Sequence, residues 1–153
     1  MNREAVYEQL KTDEGVEYAI YLDHLGYPTF GVGHLIKESD PEHGQRVGTG
    51  VSEERVRECF EEDLETAISE CNTLYGEGNF EKLPAEVQEV LVNMMFNMGR
   101  PRLSGFKKFN AAIEEGNWLE AAKEGRDSRW YNQVTNRAER LMVRLEHLAS
   151  VGQ

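Results

Sequence analysis

An α+β fold, with a small N-terminal lobe built on a β-hairpin, one long connecting helix and an all-helical C-terminal lobe, is predicted by three features of the 153-residue sequence. Period-2 alternation is confined to the stretch from Tyr18 to His34, and a single stripe of 3-4 spacing runs from Val56 to Cys71. Every apolar segment beyond Pro84 has helical period. The division expected is residues 13–51 for the β lobe, 52–72 for the connecting helix, and 1–12 with 73–153 for the helical lobe. All 153 residues fall within the usual length of one domain, and a cleft between the lobes is a common place for ligand sites.

Val6, Tyr7 and Leu10 stand at helical spacing and Gly15 follows as a stop, which puts Glu14 at the C-terminal edge of the first helix. Tyr18, Ile20 and Leu22 then alternate with Ala19, Tyr21 and Asp23, the signature of a strand. His24 to Tyr27 reads as a turn, and Phe30, Val32 and His34 alternate beyond it. Asp23 and Thr29 therefore flank one hairpin turn. Residues 37–51 are polar and glycine-rich without a sustained period, which predicts a loop or the irregular edge of a small sheet.

Ser52 is a good N-cap, with Glu53 and Glu54 suited to a first helical turn. Asp63 interrupts the apolar stripe of that helix, where an unpaired charge costs several kcal/mol, so it requires a partner. Pro84 suits a first helical position, and the helix after it is apolar nearly all round, through Val87, Val90, Leu91, Val92, Met94, Met95, Phe96 and Met98. That pattern predicts the central helix of a bundle. Gly99, Gly116 and Gly125 each close a periodic segment, Asn117 can cap the one starting at Trp118, and residues 137–149 form the last helix.

Composition narrows the function. A formal charge of −11 argues against nonspecific binding to nucleic acid or stable association with an anionic membrane. The charge is uneven: residues 1–98 carry 7 Lys and Arg against 21 Asp and Glu, whereas residues 99–153 carry 10 against 7. Cys59 and Cys71, twelve residues apart on one helix, stand about 18 Å from each other and are expected as reduced core thiols. The first ten residues, MNREAVYEQL, lack the apolar run of a signal peptide, so a cytoplasmic origin is expected. Asp13, Glu14, Asp23, His24, His34 and His43 match no recognised zinc or calcium spacing, and neither metal nor cofactor is expected.

In a chain with 28 acids most carboxylates solvate a surface, and spacing is what singles out two. The order Glu14, eight residues, Asp23, five residues, Thr29, followed by GVGH at 31–34, resembles phage-type lysozymes. NMMFNMG at 93–99 and SRWYNQVTNRAERL at 128–141 continue the resemblance, so it covers nearly the whole chain in order. It implies a lysozyme-like fold and a muramidase: an endolysin that cleaves the β-1,4 bond of peptidoglycan with inversion. Glu14 would be the general acid and Asp23 the general base, acting on a water that Thr29 helps to hold.

The same resemblance places Arg137 near the acid, pairs His34 with Asp63 as a structural support, and gives Leu35 and Phe96 saccharide contacts. Phe109 and Glu124 depart from the smaller polar residues familiar at two contact positions. The expected partner is peptidoglycan, the expected state a monomer, and the expected place of action the cell wall after the host membrane is permeabilised. The alternative is a noncatalytic glycan-binding or phage-tail structural module on the same fold.

Overall fold

The computed structural model describes residues 1–151. In chain order its elements are α1 (Arg3–Glu14), β1 (Glu17–Leu22), β2 (Pro28–Gly31), β3 (His34–Leu35), α2 (Glu53–Tyr75), α3 (Asn79–Lys82), α4 (Ala85–Ser104), α5 (Lys107–Glu115), α6 (Trp118–Arg126), α7 (Arg129–Gln133) and α8 (Thr135–Val151). The described chain forms two compact units, Arg3–Thr66 and, with Met1–Asn2, the described residues from Ala67 to Val151. The architecture is α+β, mostly helical, with one small antiparallel sheet of order β1-β2-β3.

In the first unit, Tyr21 lies opposite Thr29 and Leu22 opposite Pro28, while Thr29 and Phe30 face Leu35 and His34 on the other side. Residues 48–51 close the free edge of β1 through Ile20 N–H to Thr49 O at 2.9 Å and Val51 N–H to Tyr18 O at 2.8 Å. The polar segment is thus the irregular edge of the sheet. One sheet face carries Ile20, Phe30 and His34 into a core with Val56, Cys59, Phe60 and Leu64 from α2. Of the alternating set Tyr18, Ile20 and Leu22, only Ile20 is buried; Tyr18 and Leu22 are exposed, because three short strands leave a wide rim.

Ser52 caps α2 by accepting the Arg55 N–H at 3.1 Å. The α1 helix belongs to this unit, whereas the sequence division puts residues 1–12 in the helical lobe. Tyr7 explains the difference: its ring packs on Phe60 at 4.7 Å, and the Arg57 guanidinium lies 4.1 Å over its face.

In the second unit, α4 buries Val87, Val90, Leu91, Val92 and Met94 completely, as expected of a central helix. Its path breaks at Gly99 (φ 76°, ψ 165°), with Pro101 just beyond. Gly116 caps α5 in the left-handed region, and Asn117 caps α6 by accepting the Glu120 N–H at 3.1 Å. Gly125 is a correction: it lies inside α6 rather than after it. A Cβ there would stand 2.4 Å from Met142 Sδ, so the glycine lets α6 approach α8. No helix among the described residues is long and apolar enough to cross a membrane.

Candidate active site

Glu14 is the last residue of α1, which ends as Gly15 turns into the left-handed region at φ 79°. Its half-buried carboxylate lies against the GVGH turn: a Cβ added at Gly33, itself at φ 62°, would stand 3.6 Å from Glu14 Oε1. A Cβ there would touch the acid at ordinary contact distance, so it is the left-handed φ that favours glycine at 33.

Asp23 sits where the hairpin reverses. Its backbone N–H donates to Tyr27 O and its carbonyl accepts from Gly26 N–H, both at 2.9 Å. The side chain completes the turn, since Oδ1 accepts the N–H groups of Leu25 and Tyr27, again at 2.9 Å each. Among the described residues no hydrogen bond falls on Oδ2. One oxygen anchors the turn and the other is open to a ligand.

Thr29 is 3% exposed, and its hydroxyl donates to Tyr27 O at 2.9 Å. With its proton committed, Oγ1 offers lone pairs only. Leu35, opposite Thr29 on the same sheet face, is half exposed. The structure therefore gathers Glu14, Asp23, Thr29 and Leu35 in the first unit.

Phe96 and Arg137 belong to the second. Phe96 is half-buried on α4, and Arg137 on α8 donates from Nε to Asn93 Oδ1 at 2.8 Å and from a terminal nitrogen to Asn93 O at 3.2 Å. Phe109 is buried in the core of that unit, on α5, and Glu124 is half-buried on α6.

His34 turns away from the acids. It is 3% exposed, with Nδ1 2.8 Å from Asp63 Oδ2 and Nε2 2.8 Å from Asp40 Oδ2. Burial is the largest single influence on the imidazole and disfavours its charge. The two carboxylates outweigh it together and hold His34 above its ordinary range. Asp40 also accepts the Lys37 N–H at 2.8 Å, and Arg55, bidentate on Glu42 at 2.9 and 3.1 Å, borders the cluster. Sequence reasoning missed Asp40, because a loop acid in a polar stretch carries no periodic signal. Cys59 and Cys71 are buried, and burial pushes each thiol up to about 12, so neither is a thiolate nucleophile near neutral pH.

The family model for phage lysozyme matches residues 11–146. Probable T4-type lysozymes 1 and 2 of Dictyostelium discoideum are 30% and 32% identical to this chain, over 93% and 88% of it and 94% and 89% of their own lengths. The pre-baseplate central spike protein Gp5 of Enterobacteria phage T4 is 30% identical over 89% of the chain, which spans 26% of that protein.

Proposed function

Because the chain belongs to the phage lysozyme family, and is by that membership a glycoside hydrolase of the lysozyme class, we propose that it cleaves the β-1,4 bond between N-acetylmuramic acid and N-acetylglucosamine in peptidoglycan by inversion. Glu14 delivers its proton to the glycosidic oxygen as that bond breaks. Asp23 takes a proton from a water that adds to the anomeric carbon from the opposite face, and exchange with solvent restores both carboxyls.

The observation that carries this reading is the division of labour at Asp23. With Oδ1 fixed by two turn N–H groups, the carboxylate is oriented without help from another side chain, and Oδ2 remains to accept a proton. Thr29 Oγ1, limited to accepting, suits the second hydrogen of the same water. Leu35 supplies apolar contact to the sugar beside it.

Similarity to the spike protein favours a second reading, a noncatalytic glycan-binding or phage-tail structural module on the same fold. Clearing of purified cell walls by wild type and by Glu14→Gln separates the two. Loss of about 10²–10⁴ in rate with glycan binding retained supports the muramidase. Binding without clearing by the wild-type protein supports the module.

A further inference from the structure

Tyr21 has no part in the chemistry described so far, yet it stands in the middle of it. The register puts Tyr21 of β1 directly opposite Thr29 of β2, and Thr29 directly opposite Leu35 of β3, so the three side chains form one row across a single sheet face. Asp23 lies two residues along from Tyr21, at the turn into which β1 runs. The phenol is half-buried, and among the described residues no hydrogen bond engages its hydroxyl.

Burial first, then the negative charges of Glu17, Asp23 and Glu14, raise the phenol above its usual range, so its proton stays on at any pH where the acids work. Asp23 and Thr29 present acceptors. A glycan also carries many acceptors, and in the row Tyr21, Thr29, Leu35 the Thr29 proton is already committed to Tyr27 O, which leaves the Tyr21 hydroxyl as the donor. A phenol projects farther from its backbone than a threonine hydroxyl.

We propose that Tyr21 is a substrate-contacting residue: its ring walls the water site beside Thr29, and its hydroxyl donates a hydrogen bond to an oxygen of the sugar whose anomeric carbon is attacked. The assignment rests on the reading of Glu14 and Asp23 given above and adds the donor which that reading lacks.

Tyr21→Phe removes the hydroxyl alone. Initial rates on a soluble glycan oligomer, measured across pH, should show kcat/KM lowered about 2- to 12-fold through a higher KM, with an unchanged pH profile and unchanged thermal unfolding. KM within twofold of wild type overturns the proposal. So does a shifted pH profile at constant KM, which would make Tyr21 a group that tunes the acids rather than one that touches sugar. Tyr21→Leu, lacking the ring as well, should lower kcat further by loosening the water. Glu14→Gln and Asp23→Asn run beside these: if either turns over like wild type, the reading of the acids fails first. If both are inactive while Tyr21→Phe behaves as wild type, only the role of Tyr21 fails.

Discussion

The two units of this protein are held together by different physics. Residues 67–151 pack apolar helices around α4, and their buried polar groups bond to one another across the helices, such as Tyr75 with Asn110 at 2.7 Å and Arg137 with Asn93 at 2.8 Å. Residues 3–66 have a smaller core, and β3 and the loop after it are tied to α2 through polar side chains, with His34 between Asp40 and Asp63 and Arg55 on Glu42. The charge is distributed accordingly: residues 3–66 hold 16 acids against 6 Lys and Arg, the remainder 12 against 11. A unit too small to rely on apolar burial uses charge, and becomes sensitive to pH as a result.

The largest expected effect tests the apolar side. Leu91→Ala removes a fully buried side chain and should cost about 2–5 kcal/mol, equally at pH 5.5 and pH 9, in denaturant titrations followed by circular dichroism. A cost that changes strongly between those values would erase the distinction between the units.

The charged side should behave oppositely. The raised His34 contributes fully below its unfolded value of about 6.5, and the contribution is lost as pH rises through its folded value. For Asp40, burial pulls upward, but the Lys37 N–H and His34 lower it overall, so its contribution is present above about 3.9 and is lost as pH falls through the folded value. Stability from this cluster therefore peaks between about pH 4 and 6.5. At pH 5.5 Asp40→Asn should cost about 1–3 kcal/mol, and Asp63→Asn less, since their side chains are 7% and 29% exposed. Both costs should shrink at pH 9, and an unchanged melting temperature at pH 5.5 would remove His34 from any stabilising role.

The smallest effect concerns encounter with an anionic wall. Clearing should quicken a few-fold as ionic strength rises from very low values to about 0.1 M, where the Debye length is about 10 Å and the excess acid of residues 3–66 is screened. A steady fall from the lowest salt would contradict this.

How legible all this was depended on whether a residue belongs to a period. The helices α2 and α4 were readable because their apolar spacing is set by the same burial the structure displays, whereas the hairpin was readable in part: Tyr18 and Leu22 are exposed, and the strand read through His34 ends at Gly31, with His34 opening β3. Gly125 was misread, since a glycine at a helix end and one under a neighbouring helix look alike until Met142 is placed against it. Asp63 announced the need for a counter-ion by breaking an apolar stripe, whereas Asp40 gave no sign. Glu14, Asp23 and Thr29 stood out only as an ordered spacing. The row Tyr21, Thr29, Leu35 depends on strand register, which a bulge between Glu17 and Tyr21 shifts and no local pattern announces.

Asp23 binds its turn through an oxygen that only accepts, and an asparagine carbonyl can accept the same two N–H groups, more weakly than a carboxylate. On the proposed mechanism Asp23→Asn is therefore an inert replica: the hairpin keeps its shape while the base is gone. Such a protein would hold an intact glycan chain long enough for crystallography, and could serve as a reagent that marks uncleaved wall.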